Sequence, residues 1–227
     1  GRSPYTGFWG RITAGDKEVI DESISLVGIE ELRGRNVRTL SDGERQKVMI
    51  AKALSQQTPI IFLDEPTAFL DYPSKVEIMR LLQRLSRERG KTVFLSTHDL
   101  ELALQIADKV WLLDKARGLT IGTPEDLSLT GKMGEYFSRE GVTFDISTGS
   151  FKISHEHVWT VRIEGSGPRA NMLKKALARN GIFAGEDADG SLLITASDRC
   201  YVCGGIEYDS IEALLCGLAC LGNNSPE

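Results

Sequence analysis

The sequence predicts an α/β chain in two parts: a helix-then-parallel-sheet part over residues 1–149 and a small α+β domain over residues 150–227. Three observations predict it. The apolar runs IIFL (60–63), TVFLS (92–96) and VWLLD (110–114) alternate with helical patterns, as parallel βα units do. A polar loop, Ser147-Thr148-Gly149-Ser150, then interrupts the pattern. Beyond it the order becomes strand, helix, strand, strand, helix, which suits a small unit packing two helices on one sheet face.

The elements follow in order. In DKEVIDESISLV (16–27), Val19, Ile20, Ile24 and Val27 recur at helical spacing between charged positions, and Gly28 is placed to end the helix. Ser41 and Glu44 form a Ser-x-x-Glu pattern ahead of an apolar run, so they are expected to cap a second helix reciprocally. IIFL is apolar at every position, which predicts a strand covered on both faces, and Pro66 blocks its continuation. A helix is expected from about Ser74 to Arg89, then TVFLS, the short helix DLELALQIA and the strand VWLLD. In the second part the expected elements are VWTVRIE, PRANMLKKALARN, SLLITAS, CYVCGGIEY and SIEALLCGLACL.

Composition narrows the function classes. With 227 residues, 41% of them hydrophobic, the chain can bury a substantial core. A net charge of -5 and no Lys/Arg block argue against a nucleic-acid partner. The apolar run LLCGLACL is far shorter than the roughly 20 residues a bilayer span requires, and GRSPYTGFWG holds no apolar signal region, so the chain reads as soluble. Its four cysteines, at 200, 203, 216 and 220, suit a reducing compartment better than a stapled secreted fold.

Asp64 and Glu65 end one expected strand and His98 ends the next. In a parallel sheet the carboxyl ends of the strands share the edge where ligands bind. Asp64 is then placed to hold Mg²⁺, Glu65 to take a proton from an attacking water, and His98 to contact a terminal phosphate. A phosphate loop of the form G-x-x-x-x-G-K-[ST] is absent from the chain: its Gly-Lys-Thr, at Gly90 to Thr92, has Leu85 where the first glycine belongs and lies between a helix and a strand.

In this order, LSDGE (40–44), IIFLDEPT (60–67), FLD (69–71) and STHD (96–99) resemble the ATP-binding subunits of ABC transporters. The resemblance covers residues 1 to about 145. It implies that Leu40, Ser41, Asp42, Gly43 and Glu44 are the signature motif, Asp64 the Walker B aspartate, Glu65 the catalytic glutamate, Leu70 and Asp71 the D-loop, and His98 the switch histidine. The opening GRSPYTGFWGRITAGDKEVIDESISLVGIEEL is similar to the helical subdomain of importers for iron-siderophore, haem and vitamin B12. The implied cofactors are ATP and Mg²⁺. The implied partners are integral membrane permease subunits, a second ATP-binding subunit in a homodimer and, indirectly, an external substrate-binding protein. The implied location is cytoplasmic, peripheral on the inner face of the cell membrane.

In that family the adenine-stacking aromatic, the phosphate loop and the Q-loop come earlier than Gly1, so the chain is expected to be an N-terminally truncated piece of a longer subunit. Where the family has a glycine, Asp42 puts a carboxylate that would repel a γ-phosphate unless it turns outward. Two other readings stay open: an ATPase-inactive binding or regulatory module, and a DNA-repair-type ABC ATPase. The short spacing from signature to Walker B and the importer-like opening count against the second.

The four cysteines could in principle meet around zinc. Alternation along a strand, however, sets Cys200 and Cys203 on opposite faces, and Cys216 and Cys220 are expected on the apolar stripe of a helix, as buried structural thiols. A metal or redox site remains the alternative, and His155-Glu156-His157 reads as a solvated strand edge.

Overall fold

The computed structural model describes residues 1–5, 11–185 and 192–222. Residues 6–10 of the importer-like opening and Ser191 of one expected strand lie outside the described residues. The chain divides into two compact units, residues 1–136 with 148–150 and residues 137–147 with 151–227.

The first unit begins with α1 (Ala14–Val27), which starts where Thr13 and Asp16 cap each other and stops where Gly28 takes a left-handed φ of 72°. Arg2 Nε donates to Asp16 Oδ1 at 2.7 Å, and the Tyr5 hydroxyl donates to the Gln56 carbonyl at 2.6 Å. Helix α2 (Asp42–Leu54) starts at Ser41 with the expected reciprocal cap. Then come β1 (Ile60–Leu63), α3 (Tyr72–Arg89), β2 (Thr92–Leu95) and α4 (Leu100–Ile106). Helix α3 begins ahead of the expected Ser74 because the Asp71 side chain accepts from the Ser74 amide and Pro73 fits the first turn. Ile50, Leu54, Ile61, Ile78, Leu82, Leu85 and Leu102 form the buried core of this unit.

Strands β1 and β2 pair in parallel, Ile60 opposite Thr92 through Leu63 opposite Leu95. The expectation that β1 is covered on both faces is corrected. Ile61 is buried, but Phe62 is 75% exposed. The core reaches the Ile61 face only. On the other face Phe62 stacks on Phe94 at 5.3 Å, and Phe94 meets Trp111 edge-on at 5.0 Å. The placing of VWLLD among parallel strands is corrected too. It forms β3 (Val110–Asp114) and pairs antiparallel with β4 (Gly118–Gly122). The reversal is local: Asp114 Oδ1 accepts from the amides of Ala116 and Arg117, and Gly118 has a φ of 76°. Helices α5 (Pro124–Leu129) and α6 (Lys132–Phe137) follow.

The second unit opens with the paired strands β5 (Val142–Asp145) and β6 (Ser150–Ile153). The remaining elements are β7 (Trp159–Glu164), α7 (Gly167–Arg179), β8 (Ile182–Gly185), β9 (Leu193–Ala196), β10 (Tyr201–Cys203), β11 (Ile206–Tyr208) and α8 (Ile211–Gly222). Their sheet has the order β11-β10-β9-β7-β8, with β7 parallel to both neighbours and β9, β10 and β11 antiparallel. Three features differ from expectation. The paired strands β5 and β6 lie on either side of the expected loop. Ile182–Gly185 is an additional strand, and CYVCGGIEY is a hairpin, because Gly204 and Gly205 both take positive φ, 58° and 79°, as a tight two-residue turn requires. At Gly165, with φ of 128°, an added Cβ would lie 2.3 Å from the Ala196 carbonyl oxygen, so the strand-to-helix turn there admits only glycine. Val161 and Ile163 of β7, Leu173 and Leu177 of α7, Ile194 of β9 and Leu214 and Leu218 of α8 close one core.

The cysteines separate. Cys203 is buried, which pushes its thiol pKa up, and Cys200 is half-buried with its sulfur 3.5 Å from the Ser197 hydroxyl. Cys216 and Cys220 are exposed, against the expectation of core thiols. The stripe of α8 that faces the core runs through Leu214 and Leu218, and residues two positions further along a helix point about 200° away. No helix among the described residues is long and apolar enough to cross a membrane.

Hydrogen bonds from the Thr13 hydroxyl and the Thr13 amide, and then from Arg2, hold the Asp16 carboxyl down to about 2. An unfolded aspartate titrates near ~3.9. Because the folded value is the lower one, this stabilisation is fully present above about pH 4 and is lost as the pH falls through about 2. Asp16→Asn is therefore expected to lower the melting temperature at pH 7, with the gap from the parent closing between about pH 4 and pH 2. Calorimetry across that range checks it, and a gap independent of pH contradicts it.

Candidate functional site

The site is built where β1 and β2 end. Pairing continues one step past Leu63 and Leu95, with the Ser96 amide donating to the Leu63 carbonyl at 3.0 Å. This brings the next side chains together. Ser96 Oγ donates to Asp64 Oδ1 at 2.6 Å and accepts from the Glu65 amide at 3.0 Å. Glu65 Oε1 lies 2.6 Å from His98 Nε2, with the imidazole 89% exposed. Asp64, Glu65 and His98, expected to converge from the strand ends, thus form one connected group in contact with solvent.

Glu65 holds a φ of 44° and Phe69 a φ of 64°, a region that costs a side-chain-bearing residue about 1–2 kcal/mol. The turn that imposes it is tied by Ala68 donating to the Glu65 carbonyl at 3.0 Å and by the buried Thr67. Backbone strain of this kind persists where the surroundings over-determine it, and it clusters at functional sites. Phe69 itself is 96% exposed.

The other expected site residues lie on helix starts. Asp71 accepts from the Ser74 amide at 3.2 Å, and that hydrogen bonding holds its carboxyl below the usual range. No hydrogen bond or ion pair among the described residues joins it to Asp64, Glu65 or His98. Leu40 is buried just ahead of α2, and Ser41 and Glu44 make the reciprocal cap, which lowers the Glu44 pKa. Glu44 also pairs with Arg35 at 3.1 Å. Gly43 has open space around it. Asp42 pairs with Arg45 of its own helix at 3.0 Å, both side chains being exposed.

The donor set fits a hard cation of the Mg²⁺ kind. Asp64 offers one carboxylate oxygen fixed by Ser96 and a second with no partner among the described residues. No group of three or more His, Cys, Asp or Glu side chains among the described residues could hold a metal ion. Mg²⁺ suits such a place, because it is commonly held by one or two carboxylates together with substrate phosphates.

Sequence reasoning missed Ser96 and Arg45. Ser96 follows the last paired residue of β2 and stands level with Asp64, so the parallel register could have found it. Arg45 lies three residues after Asp42, the spacing of a helical ion pair.

The family model for ABC transporters matches residues 7–68. An uncharacterized ABC transporter ATP-binding protein of Methanocaldococcus jannaschii is 38% identical over 177 residues, covering 77% of this chain and 61% of the relative. The petrobactin import ATP-binding protein FpuC of Bacillus anthracis is 36% identical over 67% of this chain and 55% of its own length. The iron(3+)-hydroxamate import ATP-binding protein FhuC of Bacillus subtilis is 37% identical over 54% of this chain and 46% of its own. A solved ABC transporter in an inward-facing conformation shares 28% identity at a TM-score of 0.53, over 56% of this chain and 50% of that one. The chain thus spans from under half to about three-fifths of the length of these curated relatives. In fold it is an α/β protein that shares about half its length with a solved ABC transporter chain. In sequence it shares part of an ABC transporter ATP-binding domain with these relatives, residues 7–68 matching the family model.

Replacing Ser41 with alanine removes the cap of α2, a loss typically of ~1 kcal/mol. Urea unfolding should show the midpoint falling at unchanged slope, and an unchanged midpoint would mean that the cap contributes nothing.

Proposed function

We propose that this chain contributes to the ATP-binding and ATP-hydrolysing subunit of an ABC importer for iron-siderophore, haem or cobalamin cargo. The observation that supports this most directly is the joining of Asp64, Glu65 and His98 at one strand edge through Ser96 and the Glu65–His98 contact. The names of several similar proteins point the same way, among them import proteins for petrobactin, iron(3+)-hydroxamate and cobalamin, while another relative is named for manganese transport.

In this reading Asp64 would hold the Mg²⁺ that accompanies ATP, which when bound would supply positive charge against the phosphates. Glu65 accepts the proton of the attacking water as the water oxygen bonds the terminal phosphorus and the bond from that phosphorus to the bridging oxygen breaks, releasing ADP and phosphate. His98, within hydrogen-bond reach of Glu65, orients that carboxylate and contacts the terminal phosphate. Ser41 and the free amides that begin α2 face the phosphates of ATP held by a second copy, where the positive end of the helix favours an anion. Asp71, fixed as a helix cap, lies on the loop between the two sites. In this reading a phosphate loop would have to be supplied from outside these 227 residues. Closing and reopening of two such subunits would drive permease subunits at the inner face of the membrane, with an external binding protein supplying cargo. Residues 150–227 form an accessory domain for regulation or dimer contact.

The test is Glu65→Gln in the ATPase that this chain and the phosphate-loop segment make together. ATP binding should persist while turnover falls by about 10² to 10⁴, the usual worth of a general base. Normal turnover would remove Glu65 from the chemistry and leave an ATPase-inactive signature surface as the better reading. The 227-residue chain by itself should neither bind ATP at micromolar concentration in calorimetry nor hydrolyse it above buffer. Doing both would contradict the need for a separate phosphate loop.

A further inference from the structure

The proposed function gives Ser96 no task, yet its hydroxyl touches both acids at the end of β1. It donates to Asp64 Oδ1 at 2.6 Å and accepts from the Glu65 backbone amide at 3.0 Å. A hydroxyl has one proton and two lone pairs, so it can do both at once. At 2.6 Å the bond to Asp64 has the length of a charge-assisted one, about twice as strong as a neutral bond. The backbone puts the hydroxyl there, because the Ser96 amide donates to the Leu63 carbonyl at 3.0 Å and so carries the β1–β2 pairing one step further. The two bonds run as a chain from the Glu65 amide through the hydroxyl to Asp64, and in such a chain each bond polarises the next.

The same hydroxyl bears on the strain at Glu65. Its φ of 44° lies in the left-handed region, which a side-chain-bearing residue disfavours. The Ala68 amide ties the Glu65 carbonyl at 3.0 Å and Ser96 ties the Glu65 amide, so the strained residue is held at both ends. Without the hydroxyl the amide end is released. Glu65 can then relax towards negative φ, which moves its carboxylate off His98 Nε2, 2.6 Å away in the parent.

We propose that Ser96 is a positioning residue of this site, its one hydroxyl presenting the Asp64 carboxylate to the metal ion and keeping Glu65 on His98. The presentation of Asp64 rests on the proposed ATP-hydrolysing function, whereas the hold on Glu65 and His98 does not. A carboxylate that ligates a metal is itself hydrogen-bonded, and loss of such a partner typically lowers metal affinity or activity by about 10- to 100-fold.

The experiment has two arms. In the first, imidazole NMR of the 227-residue chain follows His98, with His155 and His157 of the second unit as internal references. Ser96→Ala should move the His98 resonances and leave the other two histidines in place, and Ser96→Thr, which keeps the hydroxyl, should restore them. Because Ser96 acts through Glu65, Ser96→Ala should add no further shift in a Glu65→Gln background. Should Ser96→Ala fail to fold by circular dichroism, Ser96→Cys replaces it, being close in size but a weak donor. Unmoved His98 resonances, or an equal shift in the Glu65→Gln background, overturn the proposal. In the second arm the phosphate-loop-bearing ATPase that includes this chain carries the same variants. Ser96→Ala should lower kcat by about 10- to 100-fold with KM for ATP held within about 2-fold, and Ser96→Thr should recover most of the loss. An unchanged kcat in an active parent overturns the role of Ser96 towards Asp64. An inactive parent would count against the proposed function, and the first arm then decides for Ser96.

Discussion

The parallel register of β1 on β2 is the constraint on which the candidate site depends. Because Leu63 stands opposite Leu95, the next residues, Asp64 and Ser96, stand level, and one hydroxyl can serve both the Asp64 carboxylate and the Glu65 amide. A slip of one residue would turn every side chain of the strand to its other face, taking Ile61 out of the core. The apolar side chain that stabilises the strand therefore also fixes where the acids fall. His98 comes into reach of Glu65 from the same alignment, two residues past Ser96.

Helix starts provide the second level of organisation. Thr13, Ser41, Asp71, Asp99 and Thr123 each accept a backbone amide at the beginning of a helix. At Asp99 the same carboxylate also meets Lys75 at 3.0 Å, tying the segment after His98 to α3. At Ser41 the cap leaves other first-turn amides directed outward, which favours an anion beyond the helix end. The Asp42–Arg45 pair draws that carboxylate towards its own helix and so lessens its opposition to an anion there.

Local signals made much of this legible. The Ser41–Glu44 cap and the Gly28 helix end follow from the spacing of residues near in sequence, and the Asp64, Glu65 and His98 grouping follows from the rule that successive parallel strands share one carboxyl edge. What stayed hidden depends on partners distant in sequence or on turn chemistry. The all-apolar IIFL could not show that only one of its faces meets the core, leaving Phe62 stacked on Phe94 in the open. VWLLD had the composition of a parallel strand, but Asp114 and Gly118 turn the chain back to make a ribbon. Gly204 and Gly205 broke a strand in two for the same reason. Cys216 and Cys220 were misread because α8 is apolar nearly all round, so composition could not tell which face the sheet would take.

The central claim is that ATP and its metal ion sit at the edge formed by Asp64, Glu65 and His98. His98 is one of only three histidines in the chain, with His155 and His157 in the second unit. The most direct measurement is imidazole NMR with Mn²⁺·ATP bound to the phosphate-loop-bearing ATPase that includes this chain. The paramagnetic ion should broaden the His98 resonances beyond detection while Mg²⁺·ATP leaves them sharp. Retention of sharp His98 resonances with Mn²⁺·ATP demonstrably bound would place the nucleotide elsewhere and contradict the account.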